Sequence, residues 1–334
     1  MAHEKRRALP ETGSFEPAWW LPGAHAQTIA GRLLRRTAPP TLHRERIDLP
    51  DGDFLDLDIT QGAAPGSPLV LLLHGLEGSS RRGYALNVYR ELGALGIGAV
   101  GMNFRGCSGE PNRTARSYHS GETEDLRHVL ALLRERFPTS ALGVIGFSLG
   151  GNVLLKYLGE EGEGATAGIR TCVAVSVPFD LGACADSLER TRMGRFYTRR
   201  FLATLKEKTA ARRALVGDRL DMERALRSRT FREFDDAVTA PLHGFASAED
   251  YYRRCSSAGF IGNIRVPTLL IQAQDDPFLP SGAIPRVAIA GNPRLLGRIL
   301  ARGGHVGFIE GPPWSPRFWV ERAAAAHFAD HLVT

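Results

Sequence analysis

Two apolar periods divide the chain. Short, nearly continuous apolar runs recur at residues 68–73, 97–103, 141–145, 171–177 and 268–273, with a further run at 295–300. Runs of that length without a polar face predict strands buried on both sides of a sheet. Between them the apolar positions fall at helical spacing. Residues 84–95 read as a helix, and residues 122–137 as another with Leu126, Val129, Leu130 and Leu133 on one face. A third begins at Gly151, with Val153, Leu154, Tyr157 and Leu158 inward. Residues 45–59 predict two strands around a turn at Pro50-Asp51-Gly52, with Phe54, Leu55, Leu57 and Ile59 as apolar positions. Residues 318–332 predict a closing helix. This alternation predicts an α/β fold: a doubly wound, mostly parallel sheet with right-handed crossovers.

The alternation breaks once. Residues 181–262 are helical in pattern and Arg-rich, with no strong strand. Tyr197, Phe201 and Leu205 recur at four-residue spacing and form an apolar stripe. The segment reads as a helical cap inserted into a core of residues 41–180 and 263–334. Residues 1–40 hold few periodic signals. Residues 15–21, with Trp19 and Trp20, and residues 23–28 read as an arm docked on the core by its aromatics, in which His25 is structural. There is no internal repeat.

Composition narrows the class. With 334 residues, 43% hydrophobic and 23% charged, the chain suits a globular protein. No apolar run approaches the roughly 20 residues that span a bilayer. The basic start lacks the apolar stretch of a secretory signal. Cys107, Cys172, Cys184 and Cys255 have neither CxxC nor CxxH spacing, so they read as reduced thiols of a cytoplasmic protein, with no zinc site. The formal charge is +6, and residues 181–260 carry 16 Lys/Arg against 11 Asp/Glu. Basic sequence without interleaved aromatics or a known reader fold argues against nucleic acid. The excess reads as a solvated helical face, with weak attraction to an anionic membrane surface as the alternative.

The chemistry centres on Gly146-Phe147-Ser148-Leu149-Gly150, placed between the 141–145 strand and the helix that follows. A passive serine in a glycine-rich turn is the plain alternative. The strand, turn and helix context favours a nucleophile elbow, which lifts the hydroxyl clear of the sheet. It also offers the N–H of Leu149 to an oxyanion. The second oxyanion donor is the N–H of Leu76, in the His74-Gly75 turn after the 68–73 strand; the His74 imidazole itself has no catalytic role. A serine needs a base, and the base an acid to orient it. His305, in the Gly303-Gly304-His305-Val306-Gly307 loop after a late strand, is the base. Asp275 and Asp276 both follow the 268–273 strand, where open α/β sheets gather ligands. Asp276 opens the Asp-Pro-Phe-Leu-Pro turn and is the preferred acid, with Asp275 as its neighbour or a loop anchor. The order Ser148, Asp276, His305 is that of α/β-hydrolases.

These motifs, with Asn152, Phe234-Asp235-Asp236, Tyr251-Tyr252, Asp276-Pro277-Phe278 and the His25-Ala26-Gln27-Thr28 arm, resemble the YheT-like branch of the α/β-hydrolases, which also holds the eukaryotic ABHD lipases and esterases. The resemblance covers roughly residues 15–332. It implies carboxylic-ester hydrolysis through an acyl-enzyme, with small acyl esters or lipids as substrates. Neither cofactor nor metal is expected. An acyltransferase using the same acyl-enzyme, and a silent hydrolase fold used as a binding module, are the alternatives. A dehalogenase or epoxide hydrolase would want Asp at position 148. Some relatives carry a His-x4-Asp acyltransferase motif; here His119 has Glu124 at that spacing and Asp125 one residue on. Early carboxylates also suit a helix start. The aromatics of 245–252 read as a border of the pocket.

Overall fold

The computed structural model describes residues 14–36 and 38–333; the first thirteen residues of the expected arm lie outside them. Eight strands form one sheet in the order β1-β2-β4-β3-β5-β6-β7-β8. They are β1 (Leu42–Asp48), β2 (Phe54–Thr60), β3 (Leu69–Leu73), β4 (Gly98–Asn103), β5 (Leu142–Phe147), β6 (Thr171–Val175), β7 (Thr268–Ala273) and β8 (Leu295–Leu300). β2 is antiparallel to both β1 and β4, and every other pair is parallel. The apolar runs therefore became strands within a residue or two of expectation.

Residue parity explains why those runs are apolar throughout. On β3, Leu69, Leu71 and Leu73 join one core layer, while Val70 and Leu72 join the other. Helices α1 (Gly23–Leu34), α2 (Gly83–Ala94), α3 (Glu124–Arg136) and α4 (Leu149–Glu161) come first in the chain. α3 and α4 cover the first face. α2 covers the second together with the closing helix, whose Val320, Ala324 and Phe328 pack on the sheet.

Between β6 and β7 run α5 (Leu181–Arg190), α6 (Arg192–Ala211), α7 (Arg213–Val216), α8 (Met222–Arg227), α9 (Phe231–Phe234), α10 (Ala240–His243) and α11 (Ala248–Cys255). Leu202, Val216, Leu220, Met222, Ala225, Phe234 and Val238 give these helices a small core of their own. α12 (Arg286–Gly291) precedes β8, and α13 (Trp319–Leu332) closes the chain. Two features had no counterpart in the sequence pattern. The arm contains a true helix, α1, and a two-stranded ribbon, β9 (Ile309–Glu310) with β10 (Arg317–Phe318), follows the His305 loop.

The outer strand pair is tied by charge. The register places Arg44 opposite Asp58 and Arg46 opposite Asp56. Asp58 is wholly buried and accepts from Arg44 (2.7 Å), Arg81 (2.6 Å), Asn103 (3.1 Å) and Ser80. Burial alone would raise its pKa; the hydrogen bonds from Arg44, Arg81 and Ser80 outweigh burial and hold it well below the usual carboxylate range. A depressed folded pKa stabilises the fold above the unfolded value of about 3.9, and that contribution is lost as pH falls toward the folded value. Asp58→Asn should therefore cost about 3 kcal/mol at pH 7. In urea unfolding, its difference from wild type should shrink once the pH drops below about 4; a difference independent of pH would contradict this account.

Candidate active site

Ser148 links β5 to α4 with φ 53° and ψ −119°, a positive-φ conformation that a residue bearing a Cβ resists. Its N–H donates to the carbonyl of Val175 on β6 (2.8 Å). The flanking glycines are a steric requirement. A Cβ on Gly146 would lie 2.4 Å from the Gly150 carbonyl oxygen, and one on Gly150 would lie 2.5 Å from that of Leu73. The elbow thus lies flat against the end of β3 and leaves the serine side chain outermost.

The structure brings Ser148, His305 and Asp276 together. His305 Nε2 is 3.0 Å from Ser148 Oγ, and His305 Nδ1 is 2.8 Å from Asp276 Oδ2. The Asp276 side chain is fully buried, and its other oxygen accepts the N–H of Phe278 (2.9 Å). Asp275 does not reach the ring. It accepts the N–H of Gly304 (2.9 Å), so it anchors the loop that carries His305. Burial, and then the charge of Asp276, raise its pKa above the usual carboxylate value.

The His305 loop has Gly303, Gly304, Val306 and Phe308 at positive φ, and the two non-glycine residues among them are strained. Its shape is held mainly by α1. Thr28 Oγ1 accepts the N–H of His305 (2.9 Å) and donates to Ala24 O (2.7 Å). Buried Gln27 accepts the N–H of Ile309 (2.7 Å) and donates to its carbonyl (3.0 Å), as a neighbouring strand would. Arg35 donates to the Gly307 carbonyl (3.0 Å) and pairs with buried Glu321 (2.5 Å). The chain approaches so closely that a Cβ on Gly307 would lie 2.8 Å from the Gln27 carbonyl. Just past the end of β6, Ser176 Oγ accepts the N–H of Val306 (3.1 Å). Sequence reasoning read the arm as docked but did not connect it to His305. The adjacent pair Gln27-Thr28 was the one available signal.

Rings continue outward from His305. Phe278 lies 4.4 Å from the His305 ring, and Tyr197 of α6 lies 4.7 Å from Phe278. Tyr197 OH is 3.1 Å from His25 Nδ1, so α1 and α6 meet above the histidine. Among the aromatics of 245–252, Phe245 and Tyr251 pack on His119, and Tyr252 OH donates to Asp235 (2.7 Å). Asp235, in a π-turn, has its pKa pushed up to about 6 by burial.

Around the second turn, the N–H of Gly75 donates to Tyr84 OH (3.0 Å) and that of Glu77 to Tyr118 OH (2.9 Å). Among the described residues, no acceptor meets the N–H of Leu76 between them. Leu149 opens α4, so its N–H has no intrahelical acceptor. His74 braces the turn: Nδ1 bonds the Gly75 carbonyl (2.8 Å), and Nε2 accepts the N–H of Phe104 (3.1 Å). Burial pushes its pKa down to about 4, which keeps that ring neutral. His119 is likewise held low by burial. The carboxylates near motif spacing are engaged elsewhere, Glu124 with Arg116 (2.6 Å) and Asp125 with Arg105 (2.7 Å), and both lie in the first turn of α3, as a helix start predicts.

A mostly parallel sheet with a serine elbow on a central strand, and acid and base loops at later strand ends, defines an α/β-hydrolase. A family model described as the α/β hydrolase fold matches residues 68–312. YheT of Escherichia coli (strain K12), itself only provisionally named an esterase, is 40% identical, covering 93% of this chain and 91% of its own. Phospholipase ABHD3 of Mus musculus is 31% identical, covering 90% of this chain and 74% of its own. Among solved structures, the Pyrococcus furiosus esterase Pf2001 superposes with a TM-score of 0.56 at 16% identity, over 88% of this chain and 94% of that one, a likeness of fold. The chain belongs to the α/β-hydrolase fold family, in the branch that holds YheT.

Gln27→Leu would leave the buried Ile309 N–H without its acceptor, while the Ile309 carbonyl keeps the N–H of Ala18 (2.9 Å). It should cost about 2 kcal/mol, read as a fall in the urea midpoint. Loss of less than about 0.5 kcal/mol would mean that α1 does not hold the loop.

Proposed function

We propose that the chain is a serine esterase acting through Ser148, His305 and Asp276. The observation that carries this reading is the unbroken run from Ser148 Oγ to His305 Nε2 (3.0 Å) and from His305 Nδ1 to Asp276 Oδ2 (2.8 Å). Ser148 Oγ attacks the ester carbonyl while His305 Nε2 takes its proton. Buried Asp276 fixes the ring with Nδ1 protonated and stabilises the imidazolium. The N–H groups of Leu76 and Leu149 receive the oxyanion. As the tetrahedral adduct collapses, the C–O bond breaks and the imidazolium gives its proton to the departing alcohol. Water then attacks the acyl-enzyme, giving its proton to His305; the acid leaves as Ser148 is restored.

The substrate class is a small acyl ester or lipid. Relatives named phospholipase and monoacylglycerol lipase support it. Helices α5–α11 form the cap over this site, since α6 sets Tyr197 and Phe201 against Phe278, the ring on His305. Four buried free thiols suit a reducing compartment, and we place the protein in the cytoplasm. No described helix is long and apolar enough to cross a membrane. Exposed Ile29 and Leu33 on α1 and Phe196 on α6 flank the His25–Tyr197 junction, where Arg32 feels the charges of Arg82 and Arg200. This rim would carry any weak association with an anionic membrane.

With p-nitrophenyl esters from C2 to C16, wild type should turn over and Ser148→Ala should fall at least roughly 10⁴-fold. Asp276→Asn should lose about 10⁴-fold and Asp275→Asn less than tenfold. Wild-type rates in Ser148→Ala would end the proposal, and a larger loss at Asp275 would reassign the acid. Sedimentation should show more protein on vesicles containing phosphatidylglycerol than on purely zwitterionic ones, with the gain lost in Arg32→Gln/Arg200→Gln. Equal partition of wild type onto both would remove the rim from this reading.

A further inference from the structure

The turn that offers the Leu76 N–H is held at both ends. Before it, Tyr84 OH takes the N–H of Gly75; after it, Tyr118 OH takes that of Glu77. Glu77 is the unusual member. It occupies positive φ (52°), where glycine would cost nothing sterically, so its side chain must contribute something glycine could not. The carboxylate is buried and accepts from Tyr118 OH (2.8 Å), the same hydroxyl that holds its main chain. It also meets Lys208 Nζ, at 3.0 Å from Oε1 and 2.9 Å from Oε2. Arg82 fixes the Glu77 carbonyl (2.6 Å). Lys208 lies on α6, eleven residues beyond Tyr197. One helix of the inserted segment therefore touches both the ring stacked toward His305 and the carboxylate that shapes the second turn.

We propose that Lys208 is a positioning residue for the oxyanion hole: through Glu77 it couples the seating of α6 to the direction of the Leu76 N–H, and it neutralises a buried carboxylate one residue from the developing oxyanion. Without the ammonium, that carboxylate would oppose negative charge at the carbonyl oxygen, and Tyr118 OH would hold it without the tie to α6. The inference rests on the serine reading given above.

Lys208→Met, Lys208→Arg and Glu77→Gln/Lys208→Met test it, with active sites counted by fluorophosphonate labelling of Ser148. In Lys208→Met, kcat per labelled site should fall roughly tenfold, a fraction of what losing a whole donor costs, while KM stays within twofold. A trifluoromethyl ketone, which binds as an oxyanion, should weaken by the same factor. Lys208→Arg should recover most of the rate. The double variant, which removes the uncompensated charge, should exceed Lys208→Met. Purely structural damage would lower the count of labelled sites and leave kcat per site unchanged. That result, or equal losses in the Met and Arg variants, overturns the inference. Wild type that does not label removes the serine reading and this inference with it, whereas labelling with unchanged kcat removes this inference alone.

Discussion

A serine held at positive φ between a strand and a helix has to be forced there, and much of the surrounding sequence follows from the forcing. The Val175 carbonyl takes the Ser148 N–H, and the end of β3 presses on the turn where any Cβ at Gly150 would collide. Strain of this kind costs on the order of 1–3 kcal/mol and persists only where the surroundings over-determine it. Here they do. β5 sits between β3 and β6 with parallel ladders on both sides, so neither end of the turn can relax without shearing the middle of the sheet. The same rigidity fixes the direction in which Oγ leaves the surface.

His305 required a different solution, because it lies on a loop. A loop with four residues at positive φ has no ladder to hold it, so its backbone groups are met one at a time from elsewhere. Asp275 takes Gly304, Thr28 takes His305, Ser176 takes Val306 and Gln27 takes Ile309. Two of these four come from α1, which lies more than 270 residues earlier in the chain. The arm is thus a splint for the histidine. Asp275 and Asp276 hold the same loop in different ways, the first by its main chain and the second by its ring. Their adjacency places two carboxylates side by side, and burial together with the charge of Asp276 raises the pKa of Asp275.

This division explains what could be read in advance. Strands apolar on both faces and helices with one apolar face declare themselves, because each residue's burial follows from its own parity. The serine elbow was legible because its glycines are dictated by sterics within a few residues. That Asp276 rather than Asp275 meets the His305 ring was legible from turn chemistry, since Asp276 Oδ1 accepts the Phe278 N–H two residues on. The role of α1 was not. Gln27 and Thr28 act on partners at 305 and 309, and no local pattern encodes a contact across that distance. The partners of the 245–252 aromatics were not legible for a related reason: Tyr251 and Tyr252 sit at adjacent helical positions that suit core packing and pocket lining equally, and the fold turns them toward His119 and Asp235.

Net charge is least informative where it is largest. The excess of residues 181–260 suggested a solvated face, yet several of its cations are committed inside the molecule. Arg212 donates to the carbonyls of Thr114 and Arg116, Lys206 to that of Ser228, and Lys208 to Glu77. Arg232 bridges Asp186 and Glu249 across three helices. A cation bonded to carbonyls still counts as excess charge in composition, while mechanically it ties an inserted segment to the core. Such ties are longer and more selective than apolar packing, since each needs a particular acceptor at a particular distance. A segment fastened by them has one seat on the core, and Lys208 is the fastening that ends beside the turn bearing Leu76. Replacing these cations by apolar residues of equal size could preserve burial and still lose the register between α6 and that turn.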